Sequence, residues 1–244
     1  MKVYIRQNSN REFITTNGAI AYDGFRKLGW EIVPFFANDD LDDLQPDQVV
    51  VGCIDHVHKA FLKLGITPPD EINYPDELQK FLGRNIWKSH VNYIAKHPEL
   101  WNIFIKPSKD TKKFTGRLVN SPKDLISCGD ELVDTEIWCS EPVKFMAEWR
   151  CFVRYNQILD VRLYRGDWGV HFNPQVIKDA VAAYKSAPAS YAIDFGLTDA
   201  GETLLVEVNE GYSIGCYGLF STEYAQFLST RWAEITNSRD YGLF

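Results

Sequence analysis

The chain has 244 residues, of which 45% are apolar, 14% aromatic and 24% charged, and its 26 basic and 33 acidic side chains give a formal charge of −7. That balance excludes a disordered chain, a collagen-like repeat and a disulfide scaffold, and the length suits one large domain or two modest lobes. An acidic chain is also a poor non-specific duplex binder, because phosphate neutralisation needs clustered Lys and Arg.

From the start, Lys2 to Arg6 alternates as a strand, and an apolar-periodic stretch from Asn17 through Phe25 and Leu28 reads as a helix stopped by Gly29. Glu31 to Phe36 and Val49 to Gly52 read as two more strands, and His56 to Leu64 as a helix ended by Gly65. Strands separated by helices predict a small parallel sheet. No G-x-G-x-x-G follows the first strand, so a dinucleotide fingerprint is absent. The stretch Thr67-Pro68-Pro69-Asp70, followed by Tyr74-Pro75, predicts a linker, with a boundary near residue 80 that separates a 1–80 unit from an 81–244 unit. Beyond it strands are expected at 103–106, 117–119, 136–139, 149–154, 158–164, 191–197 and 204–208, and helices at 88–97, 174–187 and 223–234.

No apolar run of about 18 residues exists to span a membrane. The beginning of the chain lacks the h-region of a signal peptide. The five cysteines (Cys53, Cys128, Cys139, Cys151 and Cys216) are scattered and never paired as C-x-x-C, which points to neither zinc nor disulfides and to a reducing cytoplasm.

Leu204-Leu205-Val206-Glu207-Val208-Asn209 is the most informative segment. In a strand Glu207 and Asn209 project from one face while Val206 and Val208 point to the core. A turn at Thr198 to Glu202 suits a hairpin that brings Asp194, on the preceding strand, opposite Glu207 and Asn209. Three hard oxygen donors held this way suit Mg2+, which takes its other ligands from water and phosphate; the bland reading is the wet face of an ordinary hairpin. Lys106 ends the apolar strand Phe104-Ile105-Lys106-Pro107, where a compact cation reaches a phosphate, or is merely solvated. The basic loop that follows, 108–116, offers Lys112 or Lys113 to a triphosphate. In Ala147-Glu148-Trp149-Arg150, Glu148 and Arg150 share a strand face, so a guanidinium fork is aimed beside a carboxylate. Glu141, in Ser140-Glu141-Pro142-Val143, sits at a strand exit where it can meet ribose hydroxyls.

The order FIKP, KKFTG, SEPV, EWRCFV, AIDFG, LVEVNEG resembles the ATP-grasp superfamily, and within it the phage and bacterial clade named for one conserved Arg and two Lys. The resemblance covers roughly residues 81 to 235. It implies an α+β fold in which two lobes hold ATP, preceded by a small α/β parallel-sheet domain. It further implies a ligase that joins a carboxylate to an amine, either of them a small molecule or a peptide, through an acyl phosphate. Carried onto this chain, Lys106 would contact the ATP phosphates, Lys113 would cover the γ-phosphate, Glu141 would bind ribose, and Arg150 would stabilise the acyl phosphate. Asp194, Glu207 and Asn209 would hold magnesium. Which of Lys112 and Lys113 reaches the phosphate stays open, as does Lys88, a phosphate ligand in some relatives or else a solvated lysine at a helix start. The loop is less glycine-dense than in better-known members. A non-catalytic binding or immunity protein on the same scaffold, and a phosphotransferase acting on a hydroxyl, are the alternatives. Asp194-Phe195-Gly196 mimics the kinase triplet, but the other kinase motifs are missing.

Overall fold

The alternating segment Lys2–Arg6 forms β1, and the apolar runs after it form β2 (Glu31–Phe35) and β3 (Val49–Val51). The computed structural model describes residues 1–109, 113–129 and 133–242. The three strands pair in parallel in the order β2-β1-β3. Parallel pairing requires a crossover, and α1 (Thr16–Lys27) supplies it between β1 and β2, while α2 (Ile54–Lys63) follows β3. Thr15 caps α1 by accepting from the Gly18 N–H. Gly29 and Gly65, just past the two helices, sit at φ +75° and +74°, a conformation that costs glycine least.

The second sheet departs from expectation at its first strand. Residues 86–97 form β4 (Ile86–His90) and then a short α3 (Val91–Lys96), not one helix beginning at Lys88. Ile86-Trp87 favours a pleated surface, and an antiparallel partner, β7 (Glu136–Ser140), decides the matter by pairing with it. With β5 (Ile103–Pro107) and β6 (Arg117–Val119) the order is β4-β7-β5-β6. Ile103, Ile105, Ile137 and Cys139 bury one face of this sheet with Val91 and Ile94 of α3.

A third sheet, order β11-β10-β8-β9, is fully antiparallel and contains β8 (Phe145–Arg154), β9 (Gln157–Gly166), β10 (Ser190–Thr198) and β11 (Thr203–Glu210). Its two faces have different fates. Cys151, Val153, Tyr191, Ile193, Phe195, Leu205 and Val208 pack on α4 (Pro174–Ala183) and on Leu78 and Leu82. On the other face Phe152 and Ala192 join a core with α1, β1 and the last helix, α5 (Ser221–Ile235), whereas Arg150 and Asp194 are buried polar residues and Glu207 lines a cleft. Helix α5 thus completes the core of the amino-terminal sheet. Tyr224, Phe227, Leu228 and Trp232 lie in the same cluster as Val3, Ile5, Phe25 and Phe61.

Candidate active site

The turn after Thr198 folds β11 back on β10, so that Asp194 lies opposite Glu207 on one side and opposite Arg150 of β8 on the other. Directly opposed residues present their side chains on one face, and Arg150, Asp194 and Glu207 therefore form a row across three strands. Arg150 grips Asp194 with a fork, Nε donating to Oδ1 at 2.8 Å and Nη2 to Oδ2 at 2.6 Å. Asn209 Nδ2 lies 3.4 Å from Asp194 Oδ2 and 3.3 Å from Glu207 Oε1. From the facing sheet, Lys106 Nζ donates to Glu207 Oε2 at 2.6 Å, joining residues 101 positions apart. Five of the side chains singled out in the sequence therefore form one connected polar group.

Val206 does not enter the core beside Val208. Asp194 pairs with Glu207 but Phe195 pairs with Leu205, which leaves Val206 as the extra residue of a β-bulge. The alternation shifts there, so Leu205 and Val208 are buried and Val206 joins Glu207 in the cleft lining. Arg84 satisfies carbonyls at the bulge, donating to Leu205 O at 2.8 Å and Val206 O at 3.0 Å, and also to Leu82 O at 2.9 Å. The linker is stitched to the same strand. Asn73 exchanges both backbone hydrogen bonds with Val208, and the ring of Tyr74 lies beneath Lys106, 4.6 Å from its ammonium.

Lys88 stands in a similar position two strands over, with β7 between. Lys88 and Lys106 both pair with Trp138 across β4-β7-β5, so all three share the cleft-side face. Lys88 Nζ is 2.8 Å from Glu136 and 5.1 Å from the Trp138 ring centroid. Sequence reading missed this placement, along with Tyr74, Arg84 and Arg165. The signal available for Lys88 was the β-favouring Ile86-Trp87 pair, which argues strand rather than helix start.

Two cavities meet at the Glu207 end of the row. One of about 630 Å³ is walled by Phe104, Leu118, Ser140 to Phe145, Glu148 and Tyr164, and one of about 510 Å³ by Asn73, Asn209, Glu210 and Tyr212 to Ile214; Lys106, Phe104, Arg165 and Glu207 line both. Glu141 lies at the rim of the larger, accepting from Asn85 N and Nδ2, each at 3.0 Å, which holds its carboxyl below the usual range. Glu148 does not pair with Arg150. It accepts from Tyr164 Oη at 2.7 Å and Arg165 Nη1 at 2.9 Å, while the Arg150 guanidinium lies 5.0 Å from the Tyr217 ring centroid. Tyr217 in turn stacks on Tyr164. Lys113 is exposed beside Ser127, Cys128 and Val133, and neither cleft cavity counts it among its lining residues; Lys112 lies outside the described residues.

Electrostatics hold the row together. Burial works against the charge on Glu207, but Lys106 and Asn209 outweigh it and keep the carboxyl below its ordinary value. Burial likewise opposes the Lys106 ammonium, and Glu207 with Tyr74 holds it above its ordinary value. The Asp194 fork does the same for Arg150. Burial raises the Tyr164 hydroxyl, and the acids around it raise it further.

An ATP-binding arrangement has a specific order in the chain, and it is matched over most of this one: residues 81–227 match the ATP-grasp domain, R2K clade family 2. The chain belongs to that ATP-grasp family. Solved ATP-grasp relatives share the fold across nearly all of it. The D-alanine–D-alanine ligase of Bacillus anthracis is 14% identical, with 97% of this chain and 98% of that one aligned at a TM-score of 0.57. N5-carboxyaminoimidazole synthetase of Staphylococcus aureus is 13% identical, covering 99% and 78%, also at 0.57. The macrocyclase MdnC of Microcystis aeruginosa MRC, bound with its precursor peptide MdnA, is 12% identical, covering 93% and 99% at 0.52. Identities this low establish the ATP-grasp fold and nothing finer. No curated protein matches the chain by sequence. No helix among the described residues is long and apolar enough to cross a membrane.

Proposed function

We propose that this ATP-grasp protein is an ATP- and magnesium-dependent ligase that joins a carboxylate to an amine through an acyl phosphate, releasing ADP and phosphate. One observation carries the reading: the Lys106–Glu207 contact of 2.6 Å lies on the seam of two adjoining cavities. A phosphate-binding cation and a metal-binding carboxylate are needed at one point where a phosphoryl group passes between two bound molecules. The 630 Å³ cavity is assigned to the nucleotide and the 510 Å³ cavity to the reacting substrates.

In this scheme Lys106 and Lys88 bind phosphate oxygens, Glu141 takes the ribose hydroxyls, and Glu148 fixes Tyr164 and Arg165 at the wall of the nucleotide cavity. Lys113, or Lys112 beside it, is assigned to the γ-phosphate from the loop after β5. A substrate carboxylate oxygen attacks Pγ in line and the bond from Pγ to the ADP oxygen breaks. Arg150, whose direction is set by the Asp194 fork, stabilises the charge on the transferring group and on the acyl phosphate. The amine nitrogen then attacks the acyl carbon and expels phosphate.

Glu207, Asn209 and Asp194 are the residues that would hold magnesium; Arg150 engages both Asp194 oxygens and Lys106 engages Glu207 Oε2, so the ion would compete with these contacts. The set offers two carboxylates and an amide in mutual contact, and among the described residues no cluster of three or more His, Cys, Asp or Glu side chains suits a metal by itself. Such a set leaves positions for water and phosphate oxygens, as magnesium prefers. When bound, the ion would offset negative charge on the phosphates.

Hydroxylamine replaces the unknown amine and traps any acyl phosphate as a hydroxamate. With ATP, MgCl2, hydroxylamine and a panel of carboxylic acids, hydroxamate and ADP should appear in equal amounts, and both should vanish in Glu207→Gln and Asn209→Ala. ADP formed with a stable phosphorylated product and no hydroxamate would overturn the ligase reading in favour of phosphotransfer to a hydroxyl.

A further inference from the structure

A third cavity, of about 350 Å³, lies outside the row of charged residues. It opens at the carboxyl ends of β1 and β3, where Arg6, Val51, Gly52 and Thr15 line it. The chain leaves β1 toward β2 on one side, and β3 adds on the other. That point of divergence, beyond the carboxyl ends of parallel strands, is where open α/β sheets bind ligands. The cavity also adjoins the reacting-substrate cavity, since Ile54, Tyr212, Ser213 and Ile214 line both. Ser213 Oγ donates to Gly52 O at 3.0 Å, which fixes the shared wall to the amino-terminal sheet.

Among the described residues Arg6 is the only charged side chain in the lining. Its Nε donates to His56 Nε2 at 3.0 Å, and Nη1 donates to the carbonyls of Gln7 and Phe35. Among the described residues no carboxylate forms an ion pair with it, although thirteen Lys or Arg pairs with carboxylates are found elsewhere. Asp40, the acid that feels its charge, is engaged by the Phe36 and Ala37 N–H groups. A half-buried guanidinium, oriented by an imidazole nitrogen and two backbone carbonyls and lining a cavity with no other charged side chain among the described residues, is suited to a ligand carboxylate.

We infer that the acyl substrate is elongated and carries a second, non-reacting carboxylate, which Arg6 holds in this cavity while the reacting carboxylate lies at Lys106 and Arg150. The inference rests on the ligase reading for its second half only; binding at Arg6 does not depend on turnover.

The test uses α,ω-diacids from succinate to sebacate, each against its own mono-amide, and glutamate against glutamine, in the hydroxylamine assay with ATP and MgCl2. At least one diacid or glutamate should exceed its matched amide about tenfold in rate at low concentration, as one charge-assisted contact allows. Arg6→Gln should reduce that preference to near unity while leaving the thermal shift produced by ATP and magnesium intact. Arg6 also orients local carbonyls, so Ile14→Glu provides a second route. Ile14 lines the cavity and is 49% exposed, and a carboxylate placed there should repel the ligand without disturbing the core. Equal rates for acids and amides, or a preference untouched by both variants, would overturn the inference, as would dependence on Arg6 found only for the amine partner. If no acid yields hydroxamate, the ligase reading fails, and thermal shifts with the diacids and their amides on the wild type and Ile14→Glu decide the Arg6 site separately.

Discussion

Replacing Glu207 with Gln removes one charge from the row and keeps its shape. The Lys106 side chain is 12% exposed and that of Glu207 29%, so the ammonium would face a neutral amide with little water to compensate. Removing one partner of a fully buried pair costs about 3–5 kcal/mol, and a hydrogen bond to a charged group is worth about 1.5–3 kcal/mol. Partial exposure of Glu207 discounts the first figure, which leaves about 2 kcal/mol at pH 7. The folded-state pKa of Glu207 lies below its ordinary 4.5, so its stabilisation is complete above that pH and is lost as pH falls through the lower, folded value. Urea unfolding of wild type and Glu207→Gln between pH 7 and 3.5 should therefore show a gap of about 2 kcal/mol that is steady to about pH 5 and narrows below 4.5. A gap under about 0.5 kcal/mol at pH 7, or one that does not narrow in acid, would refute the ion-pair account.

Other outcomes follow from the same geometry. Lys88→Met should raise the KM for ATP about tenfold with little change in melting temperature, because Lys88 shares the cleft face with Lys106 and its side chain is half exposed; steady-state kinetics will show it. Arg84→Met should cost about 2–4 kcal/mol in urea unfolding, since two carbonyls at the bulge and that of Leu82 lose their donor. Gly24→Ala should lower the melting temperature by about 4–8 °C, because a Cβ there would meet the Ser221 carbonyl oxygen at 1.8 Å where α1 crosses the start of α5. Of the five thiols, Cys53 alone is exposed, and burial pushes Cys139 up to about 12, so the native protein should titrate one fast thiol with a disulfide reagent and five after unfolding.

Much of this protein is written locally. The alternation of Lys2 to Arg6, the glycine stops at Gly29 and Gly65, and the Thr198 to Glu202 turn each act within a few residues, and the corresponding elements form where expected. The same period of two that pairs Glu207 with Asn209 also groups Arg150 with Glu148, so the face of each charged residue was legible as well. What the chain does not write locally is which face meets which partner. Arg150 could have paired with Glu148, its neighbour two positions away, and the strand register gave it Asp194 instead. One inserted residue, Val206, moved a valine from the core to the cleft, and β4 became a strand because β7 was there to receive its hydrogen bonds. Likewise only packing brought Lys106 to Glu207 and set Arg6 at the end of a cavity shared with loop 212–214. Local periodicity fixes how a side chain leaves its own strand; sheet register and the contact of distant elements fix what it finds there.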